Sequence, residues 1–186
     1  MTTILCDSRE QLPLQFTAYP TELAGGDNWE EEGRGPCLSV GDYSIKGFHD
    51  WNNPAFIIER KSLSDLCGSL GKGRARFMRE VEKMRQFGFA ALVIEGEPRD
   101  LYGTDWRSGM SPLSIMSTLD ALAVRQGLHV CWAGTPHGAA AMVESLVKQF
   151  ISGIEKDASV VYGVSRTVLQ RLVKEYHIKK QGKDTQ

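Results

Sequence analysis

Ala55-Phe56-Ile57-Ile58-Glu59-Arg60-Lys61 is the stretch on which the fold turns. Its apolar residues follow a turn at Asn52-Asn53-Pro54 and run directly into three charges. That is the pattern of a strand buried in a sheet until it reaches water. Because side chains alternate along a strand, Glu59 and Lys61 point one way while Ile58 and Arg60 point the other. Working outward toward the C-terminus, Ser62 or Ser64 can cap a short helix, which the glycines of Gly68-Ser69-Leu70-Gly71-Lys72-Gly73 then interrupt. A longer helix follows from about Arg74 to Phe87, with Phe77, Val81 and Met84 spaced to form one apolar face. Strand Ala90–Glu95, helix Leu113–Arg125, strand Leu128–Trp132 and helix Pro136–Phe150 continue the alternation. Toward the N-terminus, Thr3–Asp7 reads as a short buried strand. Cys37–Val40 leads to Gly41–Ile45 as a strand pair or one bent strand with Gly41 at the bend. Such alternation implies an α/β fold in which a mixed central sheet is covered by helices.

The chain has 186 residues, 41% of them hydrophobic, enough to bury a core without a disulfide or metal staple. The expected organisation is one domain over residues 1–152 and a short helical extension with a polar tail over 153–186. Val164–Tyr176 would be the extension's helix. Gly25–Pro36, with Gly25-Gly26 and Glu30-Glu31-Glu32, reads as an acidic surface loop. The opening residues carry charge early and lack an apolar core with a cleavage site, so no signal peptide is expected, and no segment approaches a membrane span. Cys6, Cys37, Cys67 and Cys131 are scattered, without metal-ligand spacing, and most sit among apolar neighbours. They read as reduced, buried thiols of a cytoplasmic protein. The four histidines are equally dispersed, which argues against a structural zinc. A net charge of -1 argues against coating nucleic acid through overall charge but leaves room for a local basic surface.

The chemistry gathers at the end of the first strand quoted. Glu59 and Lys61 share a face, and Asp42, after the glycine bend, would join them if its strand paired alongside. Two carboxylates can hold Mg²⁺ or Mn²⁺, hard cations that take oxygen ligands and keep waters. Such an ion activates water and stabilises phosphoryl charge, and a neighbouring lysine can orient the water or neutralise developing charge. Read alone, Glu-x-Lys is equally a surface ion pair worth about 0–1 kcal/mol.

The wider pattern favours chemistry. Gly41-Asp42-Tyr43 followed by Glu59-Arg60-Lys61-Ser62-Leu63-Ser64-Asp65 resembles the GD…ERKxxxD signature of the XPF-family nuclease domain, a branch of the PD-(D/E)xK superfamily. Asp7-Ser8-Arg9-Glu10 is similar to the family's N-terminal DxRE element. Leu66-Cys67-Gly68-Ser69-Leu70 with Arg74 is similar to its next segment. The likeness covers Ile4 to Glu95 by motif and extends to Phe150 by element order. It implies a restriction-endonuclease-like fold and metal-dependent endonucleolytic cleavage of DNA, often at branched, flap or fork structures. It makes Asp42 and Glu59 metal ligands, Lys61 the catalytic lysine and Asp7 a further acidic member. Arg60 and Asp65 become motif residues that support the site or hold one another. Arg9 and Glu10 are site residues or a positioning pair.

A DNA surface has its own signal, since Lys72, Arg74, Arg76, Arg79, Lys83 and Arg85 outnumber Glu80 and Glu82 just after the site. Arg74 is the leading candidate, with Lys72 and Arg9 beside it. Trp29, Trp51 and Trp106 sit in polar loops, where they could stack on unpaired bases or cap the core. The resemblance also implies a homodimer, because related domains pair through a helix and strand near their C-terminal end. Here Pro136–Phe150 offers Ala140, Met142, Val143, Leu146, Val147 and Phe150, although burial within its own domain would use the same face. The segment after Phe150 is too short for the tandem helix-hairpin-helix module of larger relatives, which leaves junction specificity open. The competing reading is a catalytically silent DNA-binding or scaffolding subunit. Intact Asp42, Glu59 and Lys61 count against it. A small-molecule enzyme would want a phosphate loop that Gly68–Gly73 does not spell.

Overall fold

A computed structural model describes residues 2–24, 37–49, 54–103 and 109–162, with side chains to residue 157. Its strands are β1 (Ile4–Cys6), β2 (Thr21–Leu23), β3 (Tyr43–Ile45), β4 (Phe56–Ser62), β5 (Phe89–Glu95) and β6 (His129–Trp132). They form one mixed sheet in the order β2-β1-β3-β4-β5-β6. β3 is antiparallel to both β1 and β4, whereas β4, β5 and β6 run parallel and β2 runs parallel to β1. Parallel strands in the middle of such a sheet are covered on both faces, which is why they read as unbroken apolar runs. Phe56, Ile57 and Ile58 of β4 and Leu92, Val93 and Ile94 of β5 are fully buried.

Helices α1 (Leu63–Leu70), α2 (Arg74–Met84) and α3 (Pro112–Gln126) supply the main core. Leu66, Leu70, Phe77, Val81, Ile115 and Leu119 pack in one cluster with Ile57, Leu92 and Ile94. Each large side chain so buried contributes about 1.5–3 kcal/mol relative to exposure. Ser62 caps α1, accepting the Asp65 N–H at 3.1 Å and donating its own hydroxyl to Asp65 at 2.7 Å. α3 begins on Ser111 and Pro112 and ends at Gly127, whose φ of 67° closes the helix. Helix α4 (Pro136–Tyr162) begins with Ala139 and Val143 buried, and Glu144 accepts the Thr17 and Ala18 N–H groups. The chain divides into two compact units, Thr2–Glu144 and one beginning at Ser145.

Some local expectations need correction. β2 has no sequence signal, because three exposed residues on an edge carry no apolar alternation. Leu38-Ser39-Val40 is bent rather than extended, although Leu38 and Val40 are buried. Gly68 does not break α1: burial of Leu66 and Leu70 one turn apart outweighs the roughly 1 kcal/mol that a helical glycine costs. α4 continues beyond Phe150 to Tyr162. The four cysteines are free, but only Cys6 is buried; Cys67 and Cys131 are partly buried and Cys37 is exposed. The loop Gly25–Pro36, the turn at Asn52-Asn53, the helix expected over Val164–Tyr176 and Trp29, Trp51 and Trp106 all lie outside the described residues. Among the described residues no helix is long and apolar enough to cross a membrane.

Candidate active site

The register of the sheet assembles the site. Tyr43 of β3 faces Ile58 of β4, so Asp42, one residue earlier, comes opposite Glu59. Backbone bonds fix this junction: the Asp42 N–H donates to the Ile58 carbonyl at 2.8 Å, and the Asp7 N–H donates to the Asp42 carbonyl at 2.8 Å. Asp7, just past β1, and Asp42, just before β3, therefore stand beside Glu59 in the middle of β4. Gly41 makes the approach possible. Its φ is 75°, and a Cβ there would lie 2.9 Å from the Ile58 carbonyl oxygen and 2.7 Å from Ile57 Cγ1.

Glu59 and Lys61 share a face, as strand alternation requires. Lys61 Nζ donates to Glu59 Oε1 at 2.5 Å and sits 5.2 Å from the centre of the Phe77 ring. Both side chains are almost fully buried, so the ammonium is held between a carboxylate and an aromatic face. Asp42 Oδ2 accepts the Arg60 N–H at 2.7 Å. Burial pushes the Asp42 carboxyl up to about 7, and the neighbouring charge of Glu59 adds to the rise. Glu59 is raised as well, first by burial and against the pull of Lys61, with Glu80 contributing repulsion. A pair of carboxylates short of positive charge suits a divalent cation, whose hard oxygen ligands these are. Among the described residues no group of three or more Asp, Glu, His or Cys side chains could hold a metal. The residues that could hold an ion here are Asp42 and Glu59, with oxygens from water or substrate completing its shell.

The remaining motif residues divide into two networks. Asp7 is buried, and burial alone would raise its carboxyl; donors from the Arg9 side chain and from the Arg9 and Leu38 N–H groups outweigh that and hold it below the usual range. These bonds run from 2.7 to 2.8 Å. Arg9 also reaches the Leu38 carbonyl at 2.9 Å, so the pair ties the end of β1 to the segment entering Gly41. Arg60 points away from Glu59 and Lys61. It donates to Glu95 at 2.6 Å, to the Leu12 carbonyl at 2.7 Å, and pairs with Glu10 at 3.3 Å. Arg60 and Asp65 thus have separate partners, Asp65 being engaged in the α1 cap.

An open cleft of about 1080 Å³ spreads over these groups. Asp42, Glu59 and Lys61 lie on it, and its other wall is α2, through Arg76, Glu80 and Lys83. Arg74 and Lys72 are exposed but do not line it. Residues 76, 80 and 83 share a helical face, a spacing that was legible once Lys61 was placed against Phe77. Glu95 was equally available to sequence reasoning, because it ends an apolar strand in the same way as Glu59.

The sequence profile of the ERCC4 domain matches residues 35–146. The DNA repair endonuclease XPF of Mus musculus is 32% identical over 114 residues, covering 59% of this chain and 12% of that protein. Its Drosophila melanogaster counterpart is 29% identical over 116 residues, covering 59% of this chain and 11% of that protein. The chain therefore spans about one eighth of the length of these relatives. Among solved structures, XPF from Aeropyrum pernix in complex with DNA superposes with a TM-score of 0.57 at 18% identity, covering 95% of this chain and 82% of that one.

Proposed function

The chain belongs to the ERCC4 domain family, and on that premise we propose that it is a DNA endonuclease hydrolysing phosphodiester bonds with Mg²⁺ or Mn²⁺. The observation that carries the reading is the convergence of Asp42, Glu59 and Lys61 on one open cleft, where the start of β3 meets β4. Asp42 and Glu59 would hold the cation, which when bound supplies a Lewis acid and a water of lowered pKa. Lys61, fixed by Glu59 and the Phe77 ring, presents its ammonium where the phosphate develops charge, without reorganising at the moment of reaction. Asp7 and Arg9 keep the Gly41 bend in place, and with it Asp42. Arg60 locks the Glu10–Leu12 segment against β4 and β5, while Asp65 starts α1. Arg9, Arg76 and Lys83 meet backbone phosphates inside the cleft, and Arg74 and Lys72 extend that contact outside it.

Branched, flap or fork DNA is the proposed substrate, by analogy with relatives that are DNA repair endonucleases. The catalytic domain is residues 1–152, with 153–186 as an extension, and the proposed setting is intracellular, with access to DNA. Two copies pair through the Pro136–Phe150 segment; a monomer mass by light scattering at tens of micromolar would remove that part. The test of function is a panel of labelled single-stranded, duplex, flap and fork DNAs incubated with full-length protein and Mg²⁺, Mn²⁺ or chelator. Metal-dependent cleavage, strongest on a branched member, is expected. Binding without cleavage under every condition would instead identify a catalytically silent DNA-binding subunit.

A further inference from the structure

We propose that Leu12 is a wedge that meets the bases of a DNA strand lying in the cleft and sets how readily paired DNA is opened at the cut position. The proposal rests on the nuclease reading above and adds a specificity residue to it. Leu12 is 75% exposed, and of the large apolar side chains most exposed among the described residues it is the one that lines the cleft. Single exposed leucines are common, so exposure alone means little. What distinguishes Leu12 is how its backbone is held. Its N–H donates to Glu10 Oε1 at 2.9 Å, and its carbonyl accepts Arg60 Nη1 at 2.7 Å. Two residues on, the Leu14 N–H donates to the buried Tyr43 hydroxyl at 2.9 Å, and the Leu14 side chain is itself in the core.

The charged groups that grip Leu12 are themselves little exposed. The side chains of Arg60, Glu95 and Glu10 are 11%, 11% and 15% exposed. Sequestering three charges requires mutual pairing, and here the backbone of Leu12 completes that pairing. Pro13, also exposed, restricts the backbone further. The backbone at Leu12 is therefore held in place, with its side chain three-quarters exposed and contributing little to the fold. The side chain projects instead at the lip of a cleft lined mostly by polar and charged groups, of which Lys61, Arg76 and Lys83 are suited to phosphates. The apolar surfaces a DNA strand brings to such a place are the faces of its bases. Leucine is among the side chains that proteins insert between base steps, paying the unstacking to open or bend the duplex.

The experiment compares single-turnover cleavage by the full-length wild type, Leu12→Ala and Leu12→Met on two DNAs of one sequence. One is fully paired; the other carries a short unpaired patch at the cut position. Thermal melting confirms the fold, which a three-quarters exposed side chain should not disturb. Leu12→Ala should cut the paired DNA on the order of tenfold more slowly, since a base step is costly to unstack, and cut the patched DNA within about twofold of wild type. Leu12→Met, still long and apolar, should recover most of the paired-DNA rate. Equal slowing on both DNAs would make Leu12 a general structural element of the site and overturn the wedge, as would no slowing on either. If the wild type cuts neither DNA, the nuclease reading itself falls and takes the wedge with it.

Discussion

Replacing Gly41 by alanine tests whether the bend that delivers Asp42 has the tight geometry described. The residue sits at φ 75°, where an L side chain costs about 1–2 kcal/mol. The added Cβ would also fall 2.7 Å from Ile57 Cγ1 and 2.9 Å from the Ile58 carbonyl oxygen. The second contact is with backbone, in the hydrogen-bonded pair that joins Asp42 to β4, so relief requires moving the strand junction. Overpacking of this kind adds about 1–3 kcal/mol, giving roughly 2–5 kcal/mol in all, a large share of the 5–15 kcal/mol that holds a domain together. Gly47 provides the control. Its φ is 88°, yet a Cβ added there would meet nothing within 4 Å, so Gly47→Ala should show the backbone cost alone. Urea unfolding of the two variants and wild type measures the difference. Gly41→Ala should be the less stable by about 1–3 kcal/mol, and should also lose DNA cleavage. Equal destabilisation of the two variants would show that close packing around Gly41 is not what fixes Asp42.

Three further outcomes follow from the same geometry. The Asp7 carboxyl is held below its ordinary range in the folded chain, so its contribution is present above the unfolded pKa near 3.8 and is lost as pH falls through the lower folded value. Asp7→Asn should therefore cost about 1–3 kcal/mol at pH 7 and progressively less below pH 4, read from unfolding curves across pH; a pH-independent difference would contradict it. Arg76→Ala and Lys83→Ala should each weaken DNA binding and flatten its salt dependence by about one counterion, and Arg74→Ala by less, because only the first two line the cleft. A larger loss for Arg74→Ala in a salt titration would return the phosphate track to the start of α2. Lys61→Ala should slow single-turnover cleavage on the order of 10²–10⁴-fold while DNA affinity stays near wild type, since a contact made chiefly in the transition state appears in rate. Loss of affinity with an unchanged rate at saturating DNA would make Lys61 a phosphate-binding residue.

Much of this was readable from the chain because strong local patterns coincided with tertiary burial. β4 and β5 are apolar runs ended by charge, and their side chains are buried on both faces as that composition demands. Glu59 and Lys61 needed only strand alternation, and Asp42 needed only the antiparallel pairing of β3 with β4. The rest depended on information that periodicity does not hold. β2 is three exposed residues whose place is set by backbone pairing to β1, not by burial. The bend at Leu38-Ser39-Val40 places two buried apolar residues without a strand, so burial alone misled. Arg60 finds Glu95, 35 residues later, and Glu10, far earlier, and no local rule selects those partners over Asp65 five residues away. Which basic residues of α2 line the cleft follows from the helix burying Phe77, Val81 and Met84, which leaves Arg76 and Lys83 on the cleft and Arg74 off it.

The central claim, that Asp42 and Glu59 form the site that cuts, is tested most directly by Asp42→Asn and Glu59→Gln. Each keeps the shape of its side chain. Asp42→Asn removes one charge from a mutually repelling pair and should fold at least as well as wild type in the absence of metal, whereas Glu59→Gln leaves the buried Lys61 ammonium without its carboxylate and should fold with reduced stability. Single-turnover cleavage of the preferred DNA at saturating protein and Mg²⁺ should fall by on the order of 10² or more in each, with DNA binding retained. Cleavage near the wild-type rate by either folded variant would contradict the assignment and place the cutting centre elsewhere on the chain.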